Sequence, residues 1–292
     1  MTLSVPMRCS TLAEQLGEPM IGSVDRRVRW LLVEDRSAWG TDAVKDVLGT
    51  DFARDAKARG LRPLLIRRRE GDPEADAVRR AILVDTERRE MAVRTIEHPS
   101  ELAIDAIANE PLAAFGATMS DPILLVCTNG KRDACCALRG RVLATALALD
   151  HAERTWECTH LGGHRFAGNL VCLPDGIVYG RVPPADGPRL ADAYLAGRLD
   201  PSLLRGRSAW PAPAQVAEQE LRLRLGLDRI GDLSLASVEA DGDRATVALL
   251  TPDGSTHGFE LVAERLAPPR LTSCRADEVE EPLHWRVVER GV

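Results

Sequence analysis

Short apolar runs and helical stripes alternate along the first two thirds of the chain. Val28–Glu34 (VRWLLVE) is a continuous apolar run ending in charge, which predicts a buried strand. Val44, Val47, Leu48, Phe52 and Ala56 then fall at helical spacing over about 42–58, and Gly60 closes that helix. Leu64–Arg67 is strand-like, and Ala81–Asp85 with Met91–Ile96 reads as a hairpin around the charged turn Glu87–Glu90. A helix is expected over 100–115, with Ser100 as its N-cap. The succession then recurs. Pro122–Cys127 (PILLVC) predicts a second buried strand, Ala134–Leu149 a helix and Thr155–Thr159 a strand. Asn169–Leu173 and Ile177–Val182 form a hairpin around the turn Pro174-Asp175-Gly176. Each half reads β-α-β-β, which raises a structural duplication at low sequence identity.

Beyond Val182 the pattern changes. A loop at 183–187 leads to a helix near Leu190–Leu195, and Leu203–Pro213 (LLRGRSAWPAP) reads as a linker. Gln215–Leu225 is helical. Leu233–Glu239, Ala245–Thr251 and Gly258–Glu264 predict a three-strand meander with turns at Asp241-Gly242 and Asp253-Gly254. The expected organisation is therefore an α/β chain in three parts, 1–115, 116–205 and a small α+β unit over 206–292. A 45% apolar composition supports packed cores across all 292 residues. The net charge of −6 argues against non-specific nucleic-acid binding. No apolar run reaches the ~18–20 residues of a membrane span. The first residues carry no basic-then-apolar leader, so a cytoplasmic protein with reduced thiols is expected.

Chemistry concentrates in one segment. Four of the seven cysteines, at 127, 135, 136 and 158, lie close together, and clustering in a reducing compartment reads as metal or redox chemistry before disulfides. CTNGKRDACC begins at Cys127, at the end of a strand, where α/β folds place ligands. Cys136 would sit in the first turn of the next helix, whose N–H groups favour a thiolate. His160 and His164 follow the next strand in THLGGHRFAGN, where Gly162-Gly163 disfavours a helix and favours a wrapping loop. Two cysteines and two histidines on adjacent strand–helix loops can converge on one point.

CTNGKRDACCALRGR, THLGGHRFAGN and RGRSAWPAPAQVAE together resemble the sucrase/ferredoxin-like proteins, relatives of the thioredoxin-like 2Fe–2S ferredoxins, over roughly residues 8–225. The resemblance implies two thioredoxin-like units in tandem, the second holding a 2Fe–2S cluster for one-electron transfer. Where those ferredoxins carry two cysteines three residues apart, this chain has His160 and His164. A fungal branch is similar in using two cysteines and two histidines. Carried over by motif, the ligands would be Cys127, Cys136, His160 and His164, with Arg132, Asp133, Arg165 and Asn169 around them. Asn129 departs from the histidine common in the family's CTHG-type run. Cys135 competes with Cys136, but helical neighbours point ~100° apart, so one alone should reach the iron. Two thiolates and two neutral imidazoles around a +2 core would leave a neutral site. The potential should then lie above that of all-cysteine ferredoxins, as in Rieske centres, and respond to histidine protonation.

Other readings of the same residues stand beside this one. Cys₂His₂ is a zinc set, although zinc fingers keep a shorter gap between their cysteines. The chain would then be a zinc-stabilised or metal-free binding module without redox activity. The cysteines could equally be buried core residues beside a polar loop. Cys135 with His160 or His164 could form a Cys–His hydrolase, but no third orienting group is apparent. Nothing supports a sucrase, since no motif singles out a carboxylate pair. Cys158 and Cys172 read as small core residues, His151 as a solvated cap, and Cys9, Cys274, His257 and His284 carry no signal. Arg132, Asp133, Arg165 and Asn169 could be ordinary surface pairs. Lys131, Arg132, Arg139, Arg141, Arg165 and Arg181 would form a basic rim for an acidic redox partner, since no nucleotide fingerprint supplies electrons within the chain.

Overall fold

The structure is a computed structural model that describes residues 8–68 and 79–288; residues 1–7, read above for a leader, lie outside the described residues. A helix, α1 (Cys9–Gln15), precedes the first strand. The first half then supplies β1 (Arg29–Glu34), α2 (Ala43–Leu48), α3 (Thr50–Ala58), β2 (Leu61–Arg67), β3 (Arg79–Asp85), β4 (Glu90–Ile96), α4 (Ile104–Asn109), α5 (Leu112–Phe115) and the short β5 (Ala117–Thr118). The second supplies β6 (Ile123–Cys127), α6 (Ala134–His151), β7 (Thr155–Cys158), β8 (Leu170–Leu173), β9 (Ile177–Tyr179), α7 (Gly187–Leu195) and β10 (Leu204–Arg207).

All ten strands belong to one mixed sheet, ordered β10-β9-β8-β6-β7-β2-β1-β3-β4-β5. In both halves the first strand lies parallel to the second and antiparallel to the third, and the third and fourth form a hairpin. The β-α-β-β succession is thus laid out twice with one strand order. The copies meet where β2 pairs antiparallel with β7, at Ile66–Cys158 and Arg67–Glu157. The strands at the centre are apolar on both faces because helices and loops cover both, which is why they read as continuous apolar runs.

Three local expectations are corrected. Gly49 divides the expected 42–58 helix into α2 and α3. Over 100–115, Pro111 interrupts the helix, and His98 rather than Ser100 caps the opening turn by accepting from the Ser100 N–H. The expected linker contains a strand. β10 is buried at every position and forms the edge of the large sheet beside β9. Its polar sequence is tolerated because Arg207 donates to Glu218 at 2.7 Å and Arg205 to Asn169 at 2.8 Å.

After β10 come α8 (Ala212–Leu225) and a four-stranded antiparallel sheet of β11 (Ser234–Asp241), β12 (Arg244–Leu250), β13 (Thr256–Arg265) and β14 (Leu283–Val287). The first three are the expected meander, and β14 adds a fourth strand. This unit shares a core with the preceding half. Leu143, Leu147, Tyr179, Leu190 and Leu221 lie in one apolar cluster with Val247, Leu249, Phe259 and Leu261.

Candidate metal centre

β6 carries Cys127 to the end of the sheet, and α6 returns Cys136 to it. The return depends on a close approach. A Cβ on Gly140 would stand 2.0 Å from the Cys127 carbonyl oxygen, so only glycine lets the helix sit on the strand end. Asp133 caps α6, accepting from the Cys135 N–H at 2.9 Å. The helical phase then separates neighbouring thiols: Cys136 turns towards Cys127, and Cys135 towards Cys9 and Cys274.

The histidines lie on the loop after β7. Thr159 anchors its start through its hydroxyl on the Leu65 N–H. Asn169 anchors its end by donating to the Gly163 carbonyl at 3.1 Å, and buried Arg205 in turn bonds Asn169 and the Gly162 carbonyl. At Gly163, with φ +67°, a Cβ would meet that guanidinium at 2.3 Å. The loop so held stacks the His160 and His164 rings with centroids 4.0 Å apart and planes 8° from parallel. His164 Nδ1 is 3.7 Å from Cys136 Sγ. Donor atoms of Cys127, Cys136 and His160 lie within 4.8 Å of one another, as do those of Asp133, Cys136 and His164. The four residues expected to gather are therefore brought together, with Asp133 as a fifth, in two triads that share Cys136. The sulfurs are on the inside, each 1% exposed, and the imidazoles are only partly buried.

The electrostatics favour metal-binding forms at Cys127 and His164. The Cys136 thiol donates to Cys127 and holds it well below the usual thiol range despite its burial, helped by His160 and the Leu161 N–H. Cys136 is correspondingly pushed up. Burial, then His160, lowers His164 to about 4 against the pull of Asp133, so its imidazole is neutral at pH 7 and offers a lone pair. Asp133, although burial raises it, is held below its usual value by His164 and by N–H and O–H donors from Cys274, Cys135 and Ser273.

The surrounding residues divide. Asp133 touches the site, and Asn169 shapes the histidine loop. Arg132 spends its guanidinium on Asp42 at 2.8 Å, and Arg165 on buried Glu18 at 2.6 Å. Arg139 pairs with Glu14, so three cations of the expected rim are neutralised by acidic partners. The Cys–His hydrolase reading is corrected, because the Cys135 sulfur lies against Cys9, Ser10 and Cys274 and not against either histidine. Cys158 and Cys172 are core residues as expected, but His151 is buried beside Asp192. Sequence reasoning missed Arg205, Arg62, which donates to the His160 carbonyl at 2.7 Å, and the thiols of Cys9 and Cys274. The motif RGRSAW held a signal for Arg205; Cys9 and Cys274 had none, lying 126 and 139 residues from Cys135. A cleft of about 470 Å³ opens beside His160, between Asp42, Arg62, Asn129 and Arg132.

Comparison with known proteins agrees with the motifs. The family model described as sucrase/ferredoxin-like matches residues 20–206. Two curated proteins called "Altered inheritance of mitochondria protein 32" are similar. The one from Meyerozyma guilliermondii is 33% identical over 87 residues, covering 26% of this chain and 31% of its own. The one from Eremothecium gossypii is 33% identical over 99 residues, covering 29% and 32%. The match thus spans about a third of these relatives' length. No solved structure matches the chain. Among the described residues no helix is long and apolar enough to cross a membrane.

Proposed function

The chain belongs to the sucrase/ferredoxin-like family, and from that premise we propose that it is a one-electron carrier whose 2Fe–2S cluster is held by Cys127, Cys136, His160 and His164. The observation that carries this reading is the meeting of two buried sulfurs and two stacked imidazoles in overlapping triads. Of the four, Cys127, Cys136 and His160 fall in one triad and His164 joins Cys136 in the other, a spread that a diiron cluster can take up. The repeated strand order, with its third strand antiparallel, supports the thioredoxin-like descent of both halves.

The cluster, when bound, would supply the reversible uptake of one electron. The chain's own residues do the rest. The two cysteines keep the inner side dry. Partly exposed His160 and His164 form the outer edge, the shortest path for an electron to a docked partner and for a proton to water. Arg205 and Asn169 fix the loop so that the imidazoles hold one orientation in either redox state, and Asp133 sets the His164 ring. The redox partner would dock over the histidine edge, beside the cleft at Arg62 and Arg132.

Visible absorption with iron and sulfide analysis of anaerobically purified protein tests the reading. We expect a red-brown protein with about two irons per chain, from the cluster stoichiometry. Cys127→Ser, Cys136→Ser, His160→Ala and His164→Ala should each lose most of the iron, and Cys158→Ser and Cys172→Ser should keep it. A colourless protein with zinc lost in the Cys127→Ser variant would establish the zinc-stabilised alternative instead.

A further inference from the structure

Cys9, Cys135 and Cys274 reach one point from α1, from the first turn of α6 and from the segment between β13 and β14. Their Sγ atoms form a closed triangle with sides of 3.6 Å (Cys9–Cys135), 3.3 Å (Cys135–Cys274) and 3.5 Å (Cys274–Cys9). A carboxylate oxygen of Asp133 lies with all three within 4.8 Å. Asp133 is 0% exposed and rigidly held. Its Oδ2 accepts from Ser273 Oγ at 3.0 Å and from the Cys274 N–H at 2.9 Å, and its Oδ1 accepts from the Cys135 N–H.

Core packing does not account for this arrangement. Among the described residues only Ala167 shares the apolar cluster of Cys9 and Cys135, and Cys274 is exposed. A disulfide would bring two sulfurs to ~2.0 Å and leave the third aside, whereas these three are nearly equidistant. A tetrahedral zinc ion with Zn–S bonds of ~2.3 Å keeps its sulfurs ~3.8 Å apart. The triangle is within about half an ångström of that edge, and the Asp133 oxygen within 4.8 Å of all three sulfurs can supply the fourth donor.

We propose that Cys9, Cys135, Cys274 and Asp133 form a second metal site, for a single tetrahedral divalent cation of the zinc class. Three thiolates select a thiophilic metal, and the oxygen donor with fourfold geometry favours zinc over copper(I). No electron moves on binding; the thiol protons are displaced to solvent by the metal. With four protein donors no coordination position stays open, so the ion is structural. It fastens α1 and the segment before β14 to the start of α6, the turn that carries Cys136. The proposal does not rest on the electron-carrier reading, because consecutive cysteines serve the two centres separately, although Asp133 borders both.

Elemental analysis of the full-length protein tests it, with zinc counted apart from iron. About one zinc per chain is expected. Cys9→Ser and Cys274→Ser should each lose it while iron and visible colour stay, and Cys127→Ser should do the reverse. If a variant fails to fold, the wild-type protein still decides. Cobalt(II) added after chelation should produce the strong charge-transfer and visible bands of tetrahedral thiolate coordination. Peptide mapping should find all three thiols alkylated after chelation and protected before it. Cobalt spectra unchanged from buffer, a disulfide among these cysteines, or zinc retained in Cys274→Ser would each overturn the proposal. A zinc-loaded, iron-free protein that loses its metal in Cys274→Ser would support this site while the electron-carrier reading failed.

Discussion

Gly140→Ala would place a methyl group 2.0 Å from the Cys127 carbonyl oxygen, backbone that has little freedom to move. The helix must slide away, taking Cys136 with it. Overpacking of this kind costs roughly 1–3 kcal/mol, so we expect a lower thermal midpoint together with loss of metal from the Cys127 centre; unchanged metal content with an unchanged midpoint would refute the close-approach argument. His164 gives a second prediction at this scale. In metal-free protein its folded pKa is about 4, against ~6.5 for an unfolded histidine. The unfolded chain therefore takes the proton first as the pH drops. Folding stability should decline between pH ~6.5 and ~4, by on the order of 3 kcal/mol. Urea midpoints of chelated protein at pH 7 and pH 4.5 measure this, and in His164→Asn that part of the decline should vanish.

Among the elements, α8 is tied to β10 by a buried charge network. Glu218, 0% exposed, accepts through Oε1 from Arg207 at 2.7 Å and from Arg222 at 3.0 Å. Both guanidiniums also donate to the Ile230 carbonyl at the entrance to the small sheet. Removing the acid strands two buried cations, so Glu218→Ala should cost about 3–5 kcal/mol, read as a fall in the thermal midpoint; a fall within the scatter of surface substitutions would mean that water replaces the carboxylate. The same network explains what was hidden in the sequence. β1, β6 and the two hairpins were legible because apolar runs and turn residues are local signals. β10 was not, since the partners that allow its arginines inside lie elsewhere in the chain. β14 was missed although Pro282 and the LHWRV alternation mark it, because it is short and half-exposed and a long connection separates it from its partner β13. In the centre, Cys127, Cys136, His160 and His164 were legible from their placement at strand ends. The separation of Cys135 from Cys136 followed from helical phase, but the thiols that Cys135 meets did not.

For the molecule as a whole, the family match ends at residue 206, but the packing does not. Ala214, Val216, Ala217 and Leu221 of α8, with Val247, Leu249 and Phe259 of the small sheet, complete the core beneath α6 and α7. The Gln215 carboxamide also bonds the Val24, Arg207 and Trp210 carbonyls. A chain ended at residue 206 should therefore aggregate or lose its cooperative unfolding, as size-exclusion chromatography and circular dichroism would show. A monomer with a sharp transition would make the two units separable.

The meeting of Cys9, Cys135 and Cys274 also sets a schedule. Residues 9 and 274 are 265 positions apart, and a ribosome adding about 5–20 residues per second needs tens of seconds to pass from one to the other. Over roughly the second half of that interval Cys9 and Cys135 are in the cell without their third companion. The Cys127 pair and its histidines are complete some hundred residues earlier. The order of translation thus lets the upstream centre be filled while the downstream one is still unfinished, and α1 gains its final fastening only when synthesis is nearly over.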